Sequence, residues 1–109
     1  MLGLSLAQAE ALKKPDQRRI EHALTWVEQP DRHIISRLSE SYPLWLREIS
    51  AAPTLLFAEG NLDLLASAQI AMVGTRNPTS SGRCMATMLT KDLVSSGLTI
   101  TSGLALGID

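Results

Sequence analysis

The sequence predicts an α/β chain, a parallel sheet with a helix crossing between its strands, preceded by a small helical segment. Three observations predict it. The apolar run Ile70-Ala71-Met72-Val73 ends in Gly74, a helix-patterned stretch follows from Ser80 or Ser81, and a second strand-like run, Leu98-Thr99-Ile100-Thr101, ends in Gly103. Uninterrupted apolar runs of this length suit strands buried on both faces of a parallel sheet. A crossover of this length is right-handed and makes the two strands parallel.

The elements can be justified in chain order. Residues 1–30 form a helical segment: Ser5 can cap a first helix with Leu6, Ala9 and Leu12 on one stripe, and Pro15 opens a second through Ile20, Ala23, Leu24 and Val27. Pro30 ends it, and the two helices read as a hairpin. Residues 31–41 read as a polar connector holding one extended piece, His33-Ile34-Ile35. From residue 42 the α/β part runs to 109. Pro43 starts a short helix through Leu44, Leu46 and Ile49; Pro53 introduces a strand, Thr54–Ala58; Gly60-Asn61 turns the chain; Leu62, Leu64 and Leu65 make about one helical turn. In the crossover helix Met85, Met88, Leu89 and Leu93 fall at helical spacing, and Gly97 stops it.

Composition bounds the function. With 109 residues, 45% of them apolar and 19% charged, the chain has the make-up of a small globular protein. A net charge of −1 gives no global basic footprint, so nucleic-acid binding has to come from a local patch. No stretch reads as a membrane span or secretion signal, which makes the cytoplasm the expected location. One cysteine, Cys84, makes no disulfide framework, and His22 and His33 have no second ligand at metal spacing, so no metal or cofactor is expected. Lys13, Lys14, Arg18 and Arg19, diluted by Glu10, Asp16 and Glu21, read as a solvated face; Trp26, Tyr42, Trp45 and Phe57, spread among apolar neighbours, read as core.

Both strands end in glycine-bearing turns at one edge of the sheet, the carboxyl edge where open α/β sheets bind ligands. Gly74 ends the first strand and Thr75-Arg76-Asn77-Pro78 forms the first turn, and Ser102-Gly103 through Gly107 to Asp109 the second. Glycines let backbone N–H groups approach a phosphate, and the Arg76 fork of donors matches phosphate oxygens. The candidate phosphate-binding residues are Gly74, Thr75, Arg76, Asn77, Ser102, Gly103 and Gly107. Arg83, near the start of the crossover helix, either serves an anion or snorkels. The spacing Gly103-Leu104-Ala105-Leu106-Gly107 is not a dinucleotide fingerprint.

These residues carry a resemblance. Ala71-Met72-Val73-Gly74-Thr75-Arg76-Asn77-Pro78-Thr79, then Gly82-Arg83, then Ile100 through Asp109, with Tyr42-Pro43, Leu46, Pro53, Leu55-Leu56-Phe57, Gly60-Asn61 and Leu64-Leu65 upstream, resemble the DNA-processing protein A family (DprA, also called Smf). The resemblance runs from about Leu12 to Asp109. Thr75 stands where that family usually has Ser in its Gly-Ser-Arg element, and Ser102–Asp109 matches its Ser-Gly-Leu-Ala-x-Gly-Ile-Asp element. It implies an extended Rossmann domain, of which the chain carries a truncated part. It further implies a cytoplasmic protein that is not an enzyme, binds single-stranded DNA, loads the recombinase RecA during natural transformation and homologous recombination, and forms a homodimer when full length. Two function classes stay open on the residues alone: this single-strand binder, and a nucleotide-binding enzyme such as a nucleoside-monophosphate phosphoribohydrolase.

Overall fold

The computed structural model describes residue 3 and residues 5–109; the start of the helical segment, Met1, Leu2 and Leu4, lies outside the described residues. The chain is mixed α/β and divides into two compact units, one ending at Asn61 and the other Leu62–Asp109.

In the first unit, α1 (Leu6–Lys13) begins where a hydroxyl can take up an orphan amide. Ser5 Oγ accepts from the Gln8 N–H at 3.2 Å while Gln8 Oε1 accepts from the Ser5 N–H at 2.9 Å. Its apolar stripe is largely uncovered among the described residues, Leu6 at 78% exposure and Leu12 exposed as well with Ala9 half-buried, so the expected hairpin of helices shows no buried core there. In α2 (Gln17–Val27) the cap is Asp16, whose carboxylate accepts from the Arg19 N–H, and Pro15 precedes the helix rather than opening it. An anionic side chain satisfies a first-turn amide and complements the helix dipole, which proline cannot do.

The expected connector, residues 31–41, carries a strand. β1 (Arg32–Ser36) pairs antiparallel with β2 (Leu55–Glu59), Ile34 opposite Phe57 and Arg32 opposite Glu59. Gly60, at φ +109°, donates its N–H to Asp31 O at 2.8 Å beyond the last pair. α2 packs against β1, and Trp26 meets Phe57 edge to face with ring centroids 5.6 Å apart. The core of this unit is Ile35 and Tyr42, each 3% exposed. Tyr42 sits ahead of α3 (Leu44–Arg47) and donates its hydroxyl to Pro53 O at 2.7 Å, tying the segment to the start of β2. Trp45, expected in the core, is 83% exposed, because a helix of four residues can turn only one of its sides inward.

The second unit is the βαβ. A 3₁₀ turn, Leu62–Ala66, leads into β3 (Gln69–Ala71); α4 (Ser80–Ser95) crosses to β4 (Thr99–Thr101), which lies parallel to β3 with Ile70 opposite Ile100. The ladder extends by one bond, Met72 N–H to Thr101 O at 2.9 Å, so β3 starts and ends earlier than the apolar run. Hydroxyls add side-chain bonds beside the ladder: Ser67 to Thr99 at 2.7 Å, and Thr101 to Gln69 Oε1. The cap of α4 is Thr79, accepting from the Gly82 N–H at 3.0 Å, rather than Ser80 or Ser81; Ser81 Oγ instead bonds the Thr79 hydroxyl. Gly97, at φ +91°, ends the helix in a Schellman pair of bonds, Gly97 N–H to Val94 O and Leu98 N–H to Leu93 O. Thr90 of α4 donates to Met72 Sδ at 3.2 Å, tying the helix to the residue that follows β3. The strands are not buried on both faces as their composition predicts. β3 has one strand neighbour, so Ile70 is 38% exposed, and Met85, Met88 and Leu89 of α4 are exposed too.

Candidate functional site

Parallel strands joined by a crossover helix end at the same edge, and here their loops interlock. Ile108 donates its N–H to Thr75 O at 3.1 Å, and the Asp109 carboxylate accepts from the Gly74 N–H at 3.1 Å. Two glycines permit this approach. A Cβ on Gly74 would stand 2.5 Å from the Ile108 Cβ; one on Gly107 would collide with Thr75 O and lie 2.6 Å from the Arg76 Cα. Gly107 also sits at φ +100°, where a side chain is strained. The two turns are therefore held side by side by backbone contact.

Each turn also braces itself. Thr75 Oγ1 accepts from the Asn77 N–H at 3.2 Å, and Ser102 Oγ accepts from the Leu104 N–H at 3.2 Å. These paired turns, hydroxyl to the amide two residues on, fix backbone shape and engage both hydroxyls. A Cβ at Gly103 would approach Asp109 Oδ2 to 3.2 Å, so the Asp109 carboxylate lies against both glycine turns. Asp109 is the residue the sequence reasoning left out of the site. Its place as the last residue of the second turn was a signal, since a carboxylate there can reach the amide that ends the first strand.

The remaining groups at the edge are unspent. Arg76 is exposed and makes no ion pair or side-chain hydrogen bond among the described residues, although Asp109 lies against the same turn. The N–H groups of Ala105, Leu106 and Gly107 donate to no described acceptor. Arg83, likewise without an ion pair among the described residues, lines an open depression of about 260 Å³ with Ala86, Thr87, Gly107 and Ile108. The structure thus brings Gly74, Thr75, Arg76, Asn77, Ser102, Gly103 and Gly107 together on one edge and divides their work. Gly74, Thr75, Ser102 and Gly103 shape the turns or meet Asp109; Arg76 is exposed, and the amides of Ala105, Leu106 and Gly107 have no described acceptor. Cys84 is exposed and unpaired. Among the described residues no cluster of three or more His, Cys, Asp or Glu could hold a metal, and no helix is long and apolar enough to cross a membrane.

A parallel βαβ unit whose two strand-ending loops interlock beside unpaired arginines defines a mixed α/β protein with a preformed, amide-bearing carboxyl edge. The chain belongs to the DNA recombination-mediator protein A family, whose pattern it matches over residues 33–109. It is 42% identical over 107 residues to protein Smf of Escherichia coli strain K12, covering 98% of this chain and 29% of that protein. Over 72 residues it is 47% identical to the DNA processing protein DprA of Bacillus subtilis strain 168, covering 65% of this chain and 24% of that one. A third relative, the DNA processing protein DprA of Streptococcus pneumoniae, is 45% identical over 74 residues, 68% of this chain and 26% of its own. The chain therefore spans less than a third of the length of these relatives.

Proposed function

We propose that the chain is the early part of a Rossmann-like domain that grips the phosphates of single-stranded DNA, and that it acts as a binder rather than an enzyme. Membership in a DNA recombination-mediator family supports the class of process. The observation that carries the site is the unpaired Arg76 beside the unsatisfied amides of the second turn. A guanidinium offers bidentate donors to a phosphate, and amides in a turn make an anion-binding concavity around it. Arg83, across Gly107, adds a second cation. The Asp109 side-chain carboxylate at the edge is engaged by the Gly74 amide, which favours a binding role over base catalysis on a ribose. In this reading the protein works in the cytoplasm during natural transformation and homologous recombination, as a homodimer, passing the bound strand to the recombinase RecA.

The test is Arg76→Ala, with oligothymidylate and a mixed-sequence oligonucleotide as ligands. Both should bind more weakly by the same factor, because a phosphate contact carries no base information. The slope of log affinity against log salt should flatten by about 0.7, the contribution of one phosphate on a single strand. Arg76→Lys should recover part of the loss, keeping the charge but not the fork. Unchanged affinity and slope in Arg76→Ala would remove the edge as the binding site.

A further inference from the structure

The second turn carries two leucines that neither its backbone nor its packing accounts for. Leu104 holds φ +54°, in the left-handed region that glycine enters without steric cost and other side chains enter only under strain. Its side chain gains no cover in return among the described residues, standing 89% exposed, and Leu106, two residues on, is 85% exposed. The conformation is nonetheless held. The Leu104 N–H donates to Ser102 Oγ, and the Ile108 N–H ties the turn to Thr75 O. Val73, just ahead of the first turn, is exposed as well. Around these leucines lie the unsatisfied amides of Ala105, Leu106 and Gly107, and the Gly107 backbone abuts that of Arg76. Apolar side chains and anion-seeking groups thus share one braced turn. That combination matches a nucleic-acid single strand, which offers anionic phosphates at regular intervals and apolar base faces beside them.

We infer that Leu104 and Leu106 form an apolar prong that packs against the nucleobases of a single strand while Arg76 and the turn amides hold its phosphates. A leucine side chain has no hydrogen-bonding group, so it excludes water from a base face without reading the base edge, and the strand is accepted whatever its sequence. In a duplex the base faces are stacked on one another, and apolar side chains reach them only by forcing the stack apart, so the prong favours single strands. The inference rests on the phosphate-binding reading of the edge and goes beyond it by giving the bases a site of their own and naming the side chains that form it.

The experiment uses the 109-residue chain with two probes of equal length and charge, oligothymidylate and an abasic deoxyribose-phosphate strand. The wild-type chain should bind oligothymidylate about fivefold more tightly, from the apolar area the bases cover. That ratio should hold from low to high salt, because both strands release the same counterions. Leu104→Gly removes one side chain and relieves the left-handed backbone, so the βαβ unit should resist urea at least as well as before while the thymidylate preference falls. Leu106→Ala should lower the preference too, and the double variant should bind the two strands alike. Leu38→Ala, at an equally exposed leucine of the first unit, is the control and should change neither affinity. Arg76→Ala should weaken both strands by one factor. Equal affinity of the wild-type chain for the two strands overturns the inference, as does a thymidylate preference that survives in the double variant. Should Leu104→Gly fail to fold, Leu106→Ala carries the test, and an unchanged ratio in it overturns the inference. Binding of both strands that depends on Arg76, with no preference for bases, removes the present inference and leaves the proposed function standing. No binding of either strand removes both.

Discussion

The two units differ in what their strand-flanking arginines do: Arg32 and Arg47 of the first are built into its packing, although its Arg18, Arg19 and Arg37 make no ion pair among the described residues. In the first, Arg32 lies over the Trp26 ring at 5.1 Å and its Nε is 3.5 Å from Glu59; Arg47 lies over the Tyr42 ring at 5.6 Å and donates to Ser39 O at 2.8 Å. In the second, Arg76 and Arg83 have no such partners among the described residues. A guanidinium stacked on a ring and bonded to a carbonyl or carboxylate is part of the packing. One held on a rigid turn with nothing opposite it is available to a ligand. The difference teaches that the residue type alone assigns no role here; the environment does. Arg32 and Arg47 serve cohesion in the first unit, and Arg76 and Arg83 stand at an edge whose geometry is already fixed by backbone contact.

Substitutions can break or sharpen that contrast. The largest effect is expected from Gly107→Ala, which forces a Cβ into the Thr75 and Arg76 backbone at a positive φ. It should cost the βαβ unit about 3 kcal/mol, read as faster amide exchange in β3 and β4, with exchange in β1 and β2 unchanged. Tyr42→Phe comes next. Losing the hydroxyl leaves Pro53 O without its donor and should destabilise the first unit by about 1.5 kcal/mol in urea unfolding; any effect on oligonucleotide binding would break the contrast. Gly97→Ala, at the left-handed end of α4, should cost about 1 kcal/mol without altering Arg76. The smallest stability effect is expected from Arg32→Ala, about 0.5 kcal/mol for a half-exposed ion pair and ring contact. It should leave the affinity and salt slope for oligothymidylate as they are, where Arg76→Ala changes both.

The βαβ unit was legible because its signals are local. Glycine ends each strand, helical spacing marks the crossover, and the crossover rule makes the strands parallel. The position of the two turns on one edge followed without further information. What escaped depends on partners distant in sequence or on the atom that reaches first. β1 is two isoleucines between polar neighbours, and its strand character comes from β2, some twenty residues on. Thr79 rather than a following serine caps α4 because the Thr79 hydroxyl is the one that reaches the Gly82 amide, the third position of the helix. Trp45, an aromatic beside leucines, reads as core, whereas a single helical turn leaves so large a side chain outside. The role of Asp109 is not legible locally, because it depends on an amide 35 residues away, which only the meeting of the two turns brings within reach.

Every aromatic residue of the chain, Trp26, Tyr42, Trp45 and Phe57, lies before Asn61. The second unit is therefore optically silent in the near ultraviolet. Indole emission during urea unfolding follows the β1–β2 unit alone, with the exposed Trp45 contributing a constant red-shifted background and the Trp26 contact with Phe57 supplying the change. Backbone circular dichroism follows both units. Comparing the two signals on one sample gives the unfolding of the βαβ by difference and shows directly whether the units melt as one.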